Sequence, residues 1–417
     1  MMEDNKHHTF SISRRHFLKY SGVAASGIAC STLVSCDQPQ PEGCGQIMPA
    51  LAGYQPSISS AWVQKDMHEE SYPLFKSVVD AATDFSWYNT GDKILLKLAL
   101  NSGAPFPATT DAWSLACMIR YLVEEKGVEK ENIIVGDQSG AEYVVWTSKS
   151  KRGASRALCK TAGLLQVIEG TGVTPCFFEE RGYDAYFAAY PPEPHHWEAP
   201  LYISSIVNEV DHIIFLPRVG AHILGDISSG LKISVGFLRD DSRLQFHQGG
   251  GNFYAMYEEI SQVDEIRNKL RLAVTSGRKV LTTIGPDFGH ISYPEHGLIF
   301  ASSDLLAHEL LASAWLKYNY EHLTPSSAKA FADVSNFRSV INAGFTSIFF
   351  AGMKGQKIIT PGLPINNKDN ILCHQAILNC IKRTGGQPEA IIWQSANDNP
   401  DESVTQYLED MIDPISV

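Results

Sequence analysis

The sequence predicts an α/β protein with a mainly parallel sheet flanked by helices and a smaller C-terminal α/β unit. Three observations predict it. Short continuous apolar runs recur along the chain, as expected of strands buried on both faces rather than strands with one wet face. Segments with helical spacing alternate with those runs. Hydrophobic residues make up 44% of 417 positions, enough to bury a large core.

Taken in order, KILLKLAL (93–100) is a strand, followed by the loop NSGAPFPATT and a helix over 111–126. NIIVG (132–136) is the next strand, closed by DQSG, then a helix over 152–168 and a strand at VTPCFFEE (173–180). HIIFLP (212–217) is a further buried strand, ended by Pro217. Helices are expected around 229–238 and 254–272, strands at KVLTTIG (279–285) and GLIFAS (297–302), and a helix from Asp304 to Tyr318. The C-terminal unit, 325–417, holds SIFFAG (347–352), a helix over 369–383, the strand EAIIWQS and a last helix to Ile412. The main α/β domain is thus expected over 61–324, its first 30 residues forming a helix and lead-in.

The N-terminus reads as an address and is excluded from fold reasoning. Residues 13–19 spell S-R-R-H-F-L-K, a complete twin-arginine motif with its pair at Arg14 and Arg15. A modest apolar stretch follows, too short for a membrane span, and ends in Leu33-Val34-Ser35-Cys36, which resembles a lipobox. The expectation is a signal over 1–36, export through the twin-arginine translocase and lipidation of Cys36. Asp37 resembles a retention signal, so the body is expected in the periplasm, anchored by lipid to the inner membrane of a Gram-negative bacterium. Residues 37–60 are rich in Pro and Gly and read as a tether.

Net charge is −12, and the signal carries four basic residues (Lys6, Arg14, Arg15, Lys19) against Glu3 and Asp4. The mature body is therefore more acidic still, which excludes sequence-general nucleic-acid binding. The eight Cys contain no C-x-x-C pair, which argues against a metal or iron–sulfur site built on them. Translocation in the folded state argues for mostly reduced, buried thiols.

Several stretches in order carry a family likeness: KILLKLALNSG, NIIVGDQSG, VDHIIFLPRVGAHILGDISSGLKISVGF, the GPDFG turn and ASSDLLAHELLASAWL. Together they resemble the family known as domain of unknown function 362, in its twin-arginine-exported branch, over roughly 90–320. The resemblance implies the α/β fold and no particular reaction. The family's last segment commonly reads S-x-D-x-x-A-x-D. Here Ser302, Asp304 and Ala307 are followed by His308-Glu309, so a role for the second acidic position does not carry over directly. Residues 211–250 also resemble, more distantly, the lactate racemase superfamily, with its nickel-pincer cofactor. That likeness falls on His222, Lys232 and His247, and implies a Lys carrying the pincer and His residues that ligate nickel or move protons.

Strand ends are where α/β sheets gather ligands. Lys97 lies inside an apolar strand and Asn101 follows its end; a Lys there needs a partner or a ligand, unless it is a snorkelling edge residue. Asp137 in G-D-Q-S-G is a metal ligand, a polar clamp or an ordinary turn cap. The segment 225–232, GDISSGLK, fails as a P-loop, because its Lys is displaced and no Ser or Thr follows. It does leave Ser228, Ser229 and Gly230 opening a helix beside Lys232, which suits an anion, with Arg218 as a bidentate grip. His222 is a base, a metal ligand or a structural hydrogen-bonder. DDSR (240–243) and GGG (249–251) read as a rim or lid, or simply as a loop. Asp304 and His308 share a helix face that could hold a metal, against the simpler reading of Asp304 as a helix start.

The expectation is therefore an enzyme acting on a small anionic substrate or bound cofactor, with a metal ion left open. Its catalytic candidates are His222, Lys232 and His247, and its substrate-binding candidates Lys97, Asn101, Asp137 and Arg218. The alternative is a non-catalytic lipoprotein that captures an anion or docks to an envelope partner, which needs the Arg and Lys but not the titrating His residues.

Overall fold

The computed structural model describes residues 48–64, 71–222, 225–247, 252–283, 285–323, 371–398 and 401–413. Arg14, Arg15, Cys36, the GGG run and SIFFAG lie outside them.

The main sheet strands, with the two hairpin strands that follow β5, are β1 (Ser57–Gln64), β2 (Ile94–Leu98), β3 (Ile133–Asp137), β4 (Thr174–Phe177), β5 (His212–Leu216), β6 (Gly220–His222) and β7 (Asp226–Ser228). They continue as β8 (Leu270–Gly277), β9 (Val280–Leu281), β10 (Ile291–Ser292), β11 (His296–Ser302) and β12 (Ile392–Ser395). Eight of them form one sheet in the order β12-β1-β11-β8-β5-β2-β3-β4. Only β11 runs antiparallel to its neighbours; β8, β5, β2, β3 and β4 are successively parallel. A mainly parallel α/β fold is therefore what the chain adopts.

The apolar runs behave as parallel strands should. Ile94, Leu96, Leu98, Ile214 and Leu216 face one core, while Leu95, Ile213 and Phe215 face the other, all at most 1% exposed. Each such side chain contributes about 1.5–3 kcal/mol of burial, which is why register here has no freedom to slip. Helices α1 (Tyr72–Ala82), α2 (Ala112–Arg120), α3 (Ser155–Thr161) and α4 (Leu164–Thr171) cover the first face. On the other lie α5 (Asp240–His247), α6 (Phe253–Ser261), α7 (Leu305–Glu321), α8 (Gln375–Thr384) and α9 (Glu402–Ile412). From the C-terminal stretch, β12 pairs parallel with β1, and Arg383 of α8 grips Glu258 (3.2 Å) and Glu259 (2.8 Å) of α6. No helix among the described residues is long and apolar enough to cross a membrane.

Four boundaries differ from the sequence reading, each for a physical reason. The sheet begins at Ser57, inside the expected tether, because Ser59 turns its hydroxyl onto the Val78 carbonyl and so tolerates burial. The expected helix over 152–168 is broken at Gly163, which takes φ +84° between α3 and α4. The expected helix over 254–272 stops at Ser261; after a short turn of helix at Asp264–Arg267, LRLAVTSG becomes β8, a central strand. KVLTTIG supplies only the two residues of β9.

The cysteines divide. Cys117, Cys159, Cys176 and Cys380 are reduced and buried, as expected, whereas Cys373 forms a disulfide to a residue outside those described.

Candidate functional site

The C-terminal ends of β2, β3 and β5 lie side by side, and the chain after β5 folds into a small second sheet, β7-β6-β9-β10, above them. β6 and β7 form a tight hairpin pairing Gly220 with Ser228 and His222 with Asp226. The segment PRVGAHILGDISSGLK is therefore a strand end, a hairpin and a turn, with one short 3-10 helix (Ile233–Phe237) after it.

That corrects the expected helix start at Ser228, Ser229 and Gly230. The Leu231 N–H donates to Glu309 Oε2 at 2.9 Å, and the Gly230 N–H and Ser229 hydroxyl face the same carboxylate. The anion held by this turn is the protein's own Glu309, reaching across from α7. Glu309 is fully buried, and desolvation pushes its carboxyl up to about 7. The second acidic position of the α7 segment thus does carry a carboxylate role, a positioning one.

Lys97 and Asp137 are brought together, but with each other rather than with a ligand. The Lys97 ammonium donates to Asp137 Oδ1 (2.6 Å), the Leu98 carbonyl (2.8 Å) and the Ile233 carbonyl (3.1 Å), which uses its three protons. It is 0% exposed on a central strand, between the Phe178 and Phe237 rings, so it does not snorkel, and the partner a buried lysine needs is Asp137. Burial pushes its pKa down, and Asp137 opposes that shift. Asp137 is the polar clamp: it also accepts from the Leu100 N–H (2.8 Å) and the Gln138 N–H (2.7 Å). A side chain at Gly236 would collide with Asp137 Oδ1 and Lys97 Nζ, so that glycine is part of the clamp. The pair fixes the floor and, through Ile233, the turn that carries Lys232.

Asn101 donates to Asp287 Oδ1 at 2.8 Å, and the Tyr143 hydroxyl donates to Asp287 Oδ2 at 2.6 Å. Asp287 is in turn the carboxylate whose charge supports Arg218. Arg218, at the end of β5, is 1% exposed; Nη1 donates to the Pro107 carbonyl at 3.3 Å and Nη2 has no hydrogen-bond partner among the described residues. Desolvation lowers its pKa to about 10, still charged at neutral pH. A buried guanidinium with an unmet donor is costly, so this geometry calls for an acceptor beyond the described residues.

Lys232 makes no hydrogen bond or ion pair among the described residues, remains partly exposed, and is nevertheless enclosed by protein. Its partial exposure puts it where solvent reaches this otherwise buried cluster. Its stem crosses Gly225, where a methyl group would lie 3.0 Å from Lys232 Cε and 3.5 Å from the Phe253 ring. Desolvation first, then the Arg218 charge, push the Lys232 ammonium down to about 7.

The two imidazoles flank this pair, and both are neutral. His222 Nδ1 accepts from the Gly225 N–H at 3.1 Å, so the proton of the neutral ring sits on Nε2. Burial, then the charges of Lys232 and Arg218, hold its pKa well below the usual value. His247 has the opposite tautomer: Nδ1 donates to the Arg243 carbonyl at 2.7 Å, so the proton of its neutral ring sits there. Burial brings it down to about 3. Its ring lies 6.1 Å from Phe253, on the Lys232 wall.

Arg243 was visible in the sequence only as part of a rim patch. DDSR is instead the start of α5, and Arg243 is 2% exposed, its guanidinium spread over the carbonyls of Gln138 (2.8 Å), Gly236 (3.1 Å), Leu238 (2.9 Å) and Ser139. It ties the end of β3 to the Lys232 turn. No local signal distinguishes an Arg of this kind from a solvated one. Tyr143 was missed for the same reason.

The other late candidates serve structure. Asp304 caps α7 by accepting the Ala307 N–H at 2.8 Å, and His308 bonds Thr275 Oγ1 at 2.8 Å inside the core. No group of three or more His, Cys, Asp or Glu could hold a metal ion among the described residues. His222 and His247 are two imidazoles, short of the three or four protein ligands a metal site uses, so the described residues by themselves do not make up a nickel centre.

The fold and site define an α/β protein with a cluster of buried cations at the carboxyl ends of its parallel strands, built on an inserted hairpin. The chain belongs to the family described as domain of unknown function (DUF362), whose model matches residues 94–314. No curated protein matches the sequence. Among solved structures, the lactate racemase apoprotein from Thermoanaerobacterium thermosaccharolyticum is similar at 10% identity and a TM-score of 0.34. The likeness covers 56% of this chain, which spans about half (55%) of that protein's length.

Proposed function

We propose that this cluster lines a recess that is the active site of an exported, lipid-anchored enzyme, which binds a small anionic substrate, a carboxylate, between Arg218 and Lys232. One observation carries this reading: a buried Arg218 donor near Lys232, neither with an acceptor among the described residues. A planar guanidinium offers the two parallel donors that a carboxylate accepts, and Lys232 adds a point charge. His222 and His247 bring two neutral imidazoles to the same cluster, the side chain most often used to move protons to and from a bound substrate. Lys97, Asp137, Asn101, Asp287 and Arg243 are positioning residues.

Calorimetric titration of the purified chain with small carboxylates and inorganic phosphate tests the binding half. At least one carboxylate binds, about 10- to 100-fold more weakly to Arg218→Met and about 10-fold more weakly to Lys232→Met. Equal affinity in both variants overturns the assignment. The neutral imidazoles favour an enzyme over a binding lipoprotein: His222→Ala then abolishes turnover of the bound carboxylate while leaving its affinity within a few-fold.

The address rests on S-R-R-H-F-L-K and the lipobox-like ending at Cys36. Replacing Arg14 and Arg15 together by Lys leaves unprocessed protein in the cytoplasm, and Cys36→Ala abolishes labelling by radioactive palmitate. Normal export and labelling in these variants would contradict the periplasmic, inner-membrane location.

A further inference from the structure

We propose that Lys232 forms a covalent imine with the ketone carbon of a 2-oxo carboxylate whose carboxylate group is held by Arg218. The inference rests on the reading of the recess as a carboxylate site and adds the substrate class and a nucleophile. An amine that attacks carbonyls must be unpaired, reachable and neutral for part of the time. Lys232 meets the first two by geometry: it has no hydrogen-bond or ion-pair partner among the described residues, and it keeps solvent exposure in an otherwise enclosed wall. Arg218 beside it meets the third, since a buried guanidinium disfavours a second cation.

The other buried cations show by contrast that Lys232 is the reactive one. Lys97 uses all three protons on internal acceptors, and Arg243 is spread over four carbonyls. Neither has anything to offer a ligand. Lys232 and the Arg218 Nη2 are the two cationic groups of this cluster left without acceptors among the described residues. A 2-oxo acid carries its carboxylate and its electrophilic carbon on adjacent atoms, so one small molecule engages both groups.

The step balances. The lone pair of neutral Lys232 Nζ attacks the ketone carbon, the C–N bond forms and the C=O π pair moves to oxygen. One proton leaves nitrogen and reaches that oxygen through solvent water. A second proton, taken from solvent, reaches the hydroxyl; the C–O bond breaks and water departs as the nitrogen pair closes the C=N bond, and loss of the remaining N–H proton to solvent gives the neutral imine. Amine and ketone give imine and water, with no oxidant or reductant. Protonated on nitrogen, the imine restores the positive charge at Lys232 opposite the bound carboxylate.

The full chain is incubated with pyruvate and sodium cyanoborohydride, and its lysine peptides are mapped by mass spectrometry. The expected result is the reduced pyruvyl adduct on the Lys232 peptide at least about tenfold above any other lysine. Oxalate, which has carboxylates but no ketone, suppresses it, and Arg218→Met lowers it about tenfold without changing the background on surface lysines. Calorimetry with pyruvate on the same samples separates the two claims. Pyruvate binding without trapping at Lys232 overturns the imine and leaves the carboxylate site standing; neither binding nor trapping overturns both. Equal labelling of Lys232 and surface lysines also overturns the imine. Lys232→Arg, which keeps the charge, retains carboxylate binding and loses the adduct.

Discussion

Glu309 accepts the backbone N–H of Leu231 at 2.9 Å, so the residue directly before Lys232 is fixed by a carboxylate from a helix 78 positions further along the chain. The turn at Ser229-Gly230-Leu231 has its own internal anion, and Lys232 is presented beyond it, toward the recess. Positioning and reactivity are thus divided between two residues that no sequence spacing connects.

Removing that anchor has a defined cost. Glu309→Leu leaves the Leu231 N–H buried without an acceptor and is expected to destabilise the fold by about 1–3 kcal/mol in denaturant unfolding. Glu309→Gln keeps an acceptor and costs less. Both loosen the turn, so carboxylate affinity falls in parallel with the loss of stability; unchanged affinity in Glu309→Leu would detach the turn from the site.

Glu309 also sets a pH dependence. Its carboxyl is raised from the ordinary 4.5 to about 7, so between those values the folded state holds a proton that the unfolded state has released. Stability therefore falls as pH rises through that window. Glu309→Gln flattens this part of the stability profile measured by urea unfolding, whereas an unchanged slope would show that the carboxyl titrates normally.

Lys232 acts in the opposite sense at higher pH. Its folded value is lowered from 10.5 to about 7, so over that interval the unfolded state binds the proton and the folded state does not. Stability from this group rises with pH across the interval, and the cost of the buried charge is fully present below it. Lys232→Met removes that rise and is more stable than the parent at pH 6. A destabilised Lys232→Met would mean that the ammonium has a partner.

The Lys97–Asp137 pair predicts an asymmetry. Asp137→Ala leaves a fully buried ammonium with two carbonyls and no counter-charge, a loss of about 3–5 kcal/mol. Lys97→Met leaves Asp137 with the Leu100 and Gln138 N–H groups and costs less. Equal costs in thermal unfolding would place the stabilisation elsewhere than in those two N–H donors.

How much of this was legible follows from what each residue's neighbours are. β2, β3 and β5 are apolar on both faces, so their composition reports their burial, and α7 follows an Asp cap that its position announces. β8 was hidden because LRLAVTSG follows a helical segment with no Gly or Pro between them. Arg218, Lys232, His222 and His247 were found together because one short stretch carries them. The partners that give them meaning lie far off: Asp137 is 40 residues from Lys97, and Asn101 is 186 from Asp287. Ser228, Ser229 and Gly230 were misassigned because a Gly- and Ser-rich turn looks the same whether its N–H groups meet a ligand or the protein's own glutamate.

The central claim is that a partly neutral Lys232, without a partner among the described residues, shares a carboxylate site with Arg218. The rate of acetylation of Lys232 by acetic anhydride, followed by peptide mass spectrometry across pH 5 to 11 with and without oxalate, tests it most directly. The account predicts half-maximal reactivity near the value of about 7 and marked protection by oxalate that is lost in Arg218→Met. Reactivity that rises only near the ordinary lysine value of 10.5, with no effect of oxalate, would contradict it.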